Sequence, residues 1–259
     1  MMFGSNVITV KSDSDISHAL TVISDFVSEK ALVNYKAAMA NVSRVDFCYN
    51  FQMPPRNVSE YIKALSNSSV SRTEPMVFQN QTVMFSNGMR TLAVYDKLQE
   101  VLRKLPDDEA TNEAVRLAPG VLRAEARFKT SRSCERLAKK LGFDNHRAET
   151  LLREVIAERV LSESMSELGL DKPIETGDAR YARLFKVFEP AQALALAGLM
   201  VVCDKYGAEN VVRLGFCKRS TFCRKRRYLQ DAGLWLQTAR KHRLPALRIV
   251  AANERIRAA

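Results

Sequence analysis

The clearest alternation in the chain lies at Arg44 to Gln52 (RVDFCYNFQ), with Val45, Phe47, Tyr49 and Phe51 on one side and Arg44, Asp46, Cys48 and Asn50 on the other. Successive side chains of a strand point to opposite faces, so this pattern predicts a half-buried strand. Upstream, Asn6 to Val10 (NVITV) predicts a short strand, and Ser12 to Asp15 offers N-caps for a helix in which Ile16, Leu20, Ile23 and Val27 keep helical spacing. Downstream, Met53-Pro54-Pro55 ends the strand because proline cannot donate to a ladder. Asn57 or Ser59 then caps a helix containing Tyr61, Ile62 and Leu65, and a polar turn follows from Ser66 to Ser69.

Gln81 to Phe85 and Arg90 to Lys97 flank Ser86-Asn87-Gly88, a hairpin signal that predicts an antiparallel pair. In the second run Leu92 and Val94 share one face, leaving Thr91, Ala93, Tyr95 and Lys97 on the other. A polar connection through Asp107, Asp108 and Glu109 leads past Pro119-Gly120 to Val121–Lys129, where Leu122, Ala124, Ala126 and Phe128 alternate with Arg123, Glu125, Arg127 and Lys129. From Ser131 the period lengthens to that of a helix, with stretches near 133–141, 145–167, 179–188, 190–204, 207–214 and 219–231. These patterns predict an α+β protein: an N-terminal antiparallel sheet domain with flanking helices (1–130), then an all-helical C-terminal domain (131–259).

Composition narrows the function classes. With 259 residues, 46% of them hydrophobic, the chain can bury a sizeable core. Its longest apolar run, Ala191 to Cys203, is shorter than the ~20 residues that cross a bilayer and reads as a buried helix. Met1 to Lys11 lacks the pattern of a secretory signal, which predicts a cytosolic protein without a membrane partner. The five cysteines are scattered and odd in number, so reduced thiols are expected, and neither they nor His18, His146 and His242 have zinc-site spacing.

Charge is distributed unevenly. Residues 1–200 carry 26 basic and 25 acidic groups, whereas residues 201–259 carry 14 and 4. A basic segment of this kind raises local affinity for polyanions, most commonly nucleic acid. Lys218 to Arg227 (KRSTFCRKRR) follows a Gly215 turn in an arrangement loosely like a helix-turn-helix. Ser220 or Thr221 would cap its helix, Phe222 and Leu229 would face inward, and Arg219, Arg224, Lys225, Arg226 and Arg227 would be available for phosphates.

Three predicted strands present polar faces bearing Asp46, Tyr95 with Lys97, and Glu125 with Arg123 and Arg127. If the faces converge, the set is a metal-phosphodiester site. Asp46 and Glu125 would hold Mg²⁺ or Mn²⁺, Tyr95 would attack phosphorus, Lys97 would stabilise the developing charge, and Arg123 and Arg127 would clamp the phosphate. The same positions also read as the solvated side of a sheet.

Ser43 to Phe51 (SRVDFCYNF), Arg90 to Leu98 (RTLAVYDKL), Leu122 to Thr130 (LRAEARFKT) and Arg219 to Leu234 (RSTFCRKRRYLQDAGL), in this order, resemble the gene II replication initiators of filamentous phages. The resemblance covers most of the chain. It implies a nicking-closing enzyme that starts rolling-circle replication at the phage origin, in the bacterial host cytoplasm, with host helicase and polymerase as partners. It also implies that Tyr95, in the Arg-Thr-Leu-x-x-Tyr-x-Lys run, is the nucleophile, with Lys97 the matching lysine. Two departures accompany it. The chain begins at a point well inside the family's N-terminal region, and no His-hydrophobic-His metal pair is present. The runner-up expectation is therefore a non-catalytic DNA-binding regulator derived from the same family.

Overall fold

The computed structural model describes residues 12–66, 73, 75–103, 109–208, 210–238 and 244–249. The expected strand at Asn6 to Val10 and most of the turn at Ser66 to Ser69 lie outside them. Helix α1 (Asp13–Ala31) opens with a capping box in which the Ser12 hydroxyl accepts from the Asp15 amide at 3.1 Å. The helix forms as the periodicity predicts, but none of its residues is buried. A single 3₁₀ turn (Ala37–Met39) leads into strand β1 (Val45–Gln52). Pro55 then serves as the first residue of α2 (Pro55–Ser66), a position where its missing amide costs nothing. The prolines thus start α2 directly, ahead of the caps expected at Asn57 or Ser59.

Strands β2 (Pro75–Phe78), β3 (Thr82–Ser86), β4 (Thr91–Asp96) and β5 (Val121–Phe128) complete a five-stranded antiparallel sheet in the order β1-β5-β4-β3-β2. The β3–β4 hairpin forms as predicted, with the Asn87 side chain accepting from the amides of Met89 and Arg90. Strand β2 was not evident from the sequence. Its turn uses Gln79 and Asn80, both at positive φ, to make the left-handed bend that hairpins usually obtain from glycine. Short helices α3 (Lys97–Arg103) and α4 (Glu109–Leu117) occupy the stretch read as a polar connection, and Lys97 starts α3 rather than ending β4. Gly120 enters β5 at φ +74°, and a Cβ there would lie 2.2 Å from the Met53 carbonyl oxygen. Only glycine permits that approach, which lets the Met53 amide donate to the Gly120 carbonyl at 2.9 Å and registers β5 beside β1.

Helices dominate the rest: α5 (Ser131–Leu141), α6 (Ala148–Leu151), α7 (Glu154–Leu168), α8 (Gly177–Val187), α9 (Pro190–Tyr206), α10 (Asn210–Arg213) and α11 (Arg219–Asp231). The expected helix over 145–167 is divided at Leu152 and Arg153. Two-residue strands β6 (Glu175–Thr176) and β7 (Gln237–Thr238) form a parallel pair, a small departure from an all-helical region. No helix among the described residues is long and apolar enough to cross a membrane. Helix α9 is buried along Ala193, Leu196, Leu199 and Met200 but leaves Leu194 and Val201 in solvent, so the apolar run is only half covered.

The main hydrophobic core runs on both sides of Thr130, from Val42 to Leu247, and a smaller cluster of Val101, Ala114 and Ala118 lies apart from it. Helices α2 and α7 both pack on the sheet. The segment 244–249 returns to this core: Leu244 pairs with Ile174, and the Tyr61 hydroxyl of α2 donates to the Pro245 carbonyl at 2.5 Å. Burial raises the Tyr61 phenol to about 12, above its unfolded value near 10. Below pH 10 the phenol is neutral in both states and its contribution is complete. Between pH 10 and 12 the unfolded chain loses this proton first, so stability falls. Thermal melts from pH 9 to 12 should show that decline, and Tyr61→Phe should flatten it; an unchanged slope in the variant would assign the decline elsewhere.

Candidate active site

Register across the sheet sorts the polar positions into three rows. The first holds Asp46, Arg127, Thr91 and Ser86. Cys48, Glu125, Ala93, Met84 and Met76 make the second, and Asn50, Arg123, Tyr95, Thr82 and Phe78 the third. The odd-numbered apolar positions of β1 and the even-numbered ones of β4 and β5 form the opposite, core face, which includes Phe47, Phe51, Leu92, Val94, Leu122, Ala124 and Ala126. Because β5 returns between β1 and β4, residues far apart in sequence meet on one surface.

Glu125 is the hub. The Tyr95 hydroxyl donates to Glu125 Oε1 at 2.5 Å, and Arg127 Nε donates to Oε2 at 2.6 Å. Arg123 lies 4.0 Å from Oε1 and is held from the other side by its Nε–H, which donates to Asn50 Oδ1 at 2.7 Å. Tyr95 is only 5% exposed. Burial, then the neighbouring Glu125 carboxylate, push its phenol well above the ordinary tyrosine value, while Arg123 pulls the other way. For Arg127, burial works against the charge, but Glu125 outweighs it and raises the guanidinium. Cys48, the register partner of Glu125, has a thiol raised by burial.

The other predicted positions are placed as follows. Asp46 sits on the same face opposite Arg127, at the edge strand, with its carboxylate paired to Arg44 at 2.7 Å. Lys97 is 1% exposed, and its ammonium donates to Glu100 at 2.6 Å while lying 6.0 Å from the centre of the Tyr95 ring. The sheet therefore brings Tyr95, Glu125, Arg123 and Arg127 into direct or near contact, with Asp46 beside them and Lys97 under the tyrosine ring. Asn50 and Glu100 are partners that the sequence reading did not select. Asn50 could have been found from its place in the β1 alternation with Asp46.

No group of three His, Cys, Asp or Glu side chains suited to a metal occurs among the described residues. All five cysteines are free thiols.

Helix α11 carries the basic cluster and packs against α9 and α10, with Gln230 donating to the Glu167 carbonyl of α7. Its N-cap is Lys218, without a side-chain cap, so Ser220 and Thr221 fall inside the first turn. Helix α10 is a single turn, Asn210–Arg213, too short to be the first helix of a helix-turn-helix. Phe222 and Leu229 face inward as predicted, but Arg226 joins them at 7% exposure, its guanidinium 5.9 Å from the Phe222 ring. The spacing explains this, since positions 222, 226 and 229 share one helical face. Lys225 donates to the Ala195 carbonyl at 3.0 Å. Arg219, Arg224 and Arg227 remain exposed, and Arg227 makes a 4.0 Å contact with Asp231. Arg224→Ala with Arg227→Ala is expected to lower the slope of log affinity for duplex DNA against log salt by about 2, at unchanged melting temperature. Arg226→Ala should instead cost roughly 1–3 kcal/mol of stability through lost packing. Salt titrations and melts that gave the reverse pattern would exchange the roles of these arginines.

A family model for the N-terminal part of the phage gene II replication-associated protein matches residues 1–145. The chain belongs to this replication-initiator family. No curated protein and no solved structure matches it. In this replication initiator the matched stretch contains β1, β4 and β5, and with them Asp46, Tyr95, Lys97, Arg123, Glu125 and Arg127. Helix α11 lies beyond the matched stretch.

Proposed function

We propose that this phage replication initiator nicks one DNA strand at the phage origin and rejoins it through a tyrosyl intermediate. The observation that carries the reading is the 2.5 Å hydrogen bond from the Tyr95 hydroxyl to Glu125, with Arg123 and Arg127 beside the same carboxylate. A phenol raised well above neutrality cannot attack as a standing phenolate, so it needs a base in contact as the bond to phosphorus forms. Glu125 supplies that base. As Tyr95 Oη bonds to the scissile phosphorus its proton passes to Glu125. The bond from phosphorus to the 3′-oxygen breaks, and that oxygen leaves as a hydroxyl by taking a proton from solvent water, while Glu125 returns its proton to solvent. The products are a 5′-phosphotyrosyl link and a 3′-hydroxyl, which a host polymerase extends while a host helicase parts the strands. Reversal rejoins the circle. Arg123 and Arg127 hold the non-bridging phosphate oxygens.

Asp46 and Glu125 are the two carboxylates on this face, but Asp46 is paired with Arg44 and both oxygens of Glu125 are engaged by Tyr95 and Arg127, so as arranged they do not fit Mg²⁺ or Mn²⁺ and no step is routed through a metal.

The test is incubation of the purified chain with Mg²⁺ or Mn²⁺ and end-labelled single-stranded fragments of the phage genome, followed by a denaturing gel. A protein-linked labelled strand is the expected product. Salt-sensitive binding without any adduct would overturn the nicking reading in favour of a non-catalytic DNA-binding regulator.

A further inference from the structure

The strongest unexplained surface lies where α9 runs through α10 into α11. Tyr206 and Phe216 are 40% and 49% exposed, with ring centres 5.2 Å apart and planes tilted by 31°. Large aromatic side chains left in water are costly unless something covers them, and two touching rings form a patch rather than scattered exceptions. Their surroundings say what would cover them. Between Asp204 and Arg227 the sequence holds eight basic residues and two acidic residues, and Asp204 is paired with Arg180. Lys205, Arg213, Lys218 and Arg219 are all exposed, and Lys205 lies 5.1 Å from the centre of the Tyr206 ring.

The pair is also held in place. The Asn210 side-chain amide donates to the Tyr206 carbonyl at 2.7 Å. Gly215, at φ +76°, lets the amides of Gly215 and Phe216 donate back to Val212 and Val211 at 3.1 and 3.0 Å. This closes α10 in the manner of a Schellman turn. Val211 is fully buried, so the turn that presents Phe216 is anchored in the core. A fixed aromatic surface bordered by exposed cations can stack bases while the cations meet phosphates, whatever the base sequence. A duplex offers no such faces, because its bases are already stacked on one another.

We infer that Tyr206 and Phe216 form a stacking platform for single-stranded DNA, bordered by Lys205, Arg213, Lys218 and Arg219. It rests on the reading of the protein as a DNA-binding replication initiator and adds the form of DNA that this end of the molecule holds: the unpaired strand. The apolar alternative, a protein partner docking on the two rings, is disfavoured by the excess of positive charge around them.

The experiment uses the full chain and a fluorescein-labelled oligothymidylate followed by anisotropy, with a duplex of equal length as comparison. Tyr206→Ala and Phe216→Ala should each weaken oligothymidylate binding by roughly tenfold, and Tyr206→Phe should bind as the wild type does. Phe216→Leu, which keeps an apolar side chain but no ring, should be as weak as Phe216→Ala. Duplex affinity and the salt slope should stay within about twofold of the wild type, because the cations are retained. Each truncation removes one ring contact, so melting temperatures should fall by only a few degrees, and a melt confirms that each variant is folded. Wild-type affinity in the alanine variants, or rescue by leucine, would overturn the platform alone. Equal losses on duplex and single strand would also overturn it. A wild-type chain that binds neither DNA would overturn the DNA-binding reading beneath it.

Discussion

Tyr95→Phe is expected to reduce the covalent DNA adduct to background while leaving noncovalent DNA affinity within about threefold of the wild type. The substitution removes one oxygen, and that oxygen is both the proposed nucleophile and a donor to Glu125. With no hydroxyl there is no phosphotyrosyl bond, so the loss is complete rather than partial. Affinity is spared because the arginines that would hold phosphate keep their own supports: Arg123 on Asn50, and Arg127 on Glu125. A stability cost accompanies the change, since a largely buried carboxylate oxygen loses a partner, and roughly 1–3 kcal/mol is expected. Denaturing gels, equilibrium binding and urea melts on the same preparation separate these effects. An adduct that persisted in the variant would move the nucleophile to another side chain. Loss of binding together with the adduct would make Tyr95 a structural residue.

The second large effect concerns Lys97, and it is an effect on folding. The ammonium and the Glu100 carboxylate are paired at 2.6 Å, with residue exposures of 1% and 7%. Breaking a buried pair from one side leaves the other charge in a low dielectric, so Lys97→Ala is expected to destabilise by about 3–5 kcal/mol. Lys97→Met combined with Glu100→Leu removes both charges at similar volume and should recover most of that loss. The double variant then separates the two roles open to this lysine. If it folds and still forms the adduct at the wild-type rate, Lys97 only supports the ring of Tyr95. If it folds and the rate falls by tenfold or more, the ammonium acts on the reacting phosphate. Urea melts with single-turnover adduct formation give both answers.

The parts of this molecule that were legible in the sequence are those governed by local periodicity. Strands β1, β4 and β5 each announce themselves by period-two alternation, which also placed Asp46, Tyr95 and Glu125 on polar faces. Their convergence was not legible, because the position of β5 between β1 and β4 is a long-range property that no single segment encodes. Strand β2 escaped because its turn residues, Gln79 and Asn80, lack the glycine that usually marks a left-handed bend. Lys97 reads as a natural continuation of the β4 alternation, yet its side chain is drawn to Glu100 one helical turn ahead, and the backbone goes with it. Arg226 was misplaced for a related reason. In a run of basic residues one position must fall on the inward face of α11, and charge alone does not tell which. The apolar residues at 222 and 229 did contain that information.

The hydrogen bond from Tyr61 to Pro245 joins residues 184 positions apart, and the buried Leu244 and Leu247 belong to the same core. On the ribosome, α2 and the sheet must therefore wait until the segment 244–249 has emerged before their last buried partners arrive. A polypeptide released before that point would carry every strand of the five-stranded sheet and still lack the segment that bonds to Tyr61, Leu170 and Ile174. In this replication initiator, therefore, helix α2 gains its last buried partners only after the basic helix α11 has been made.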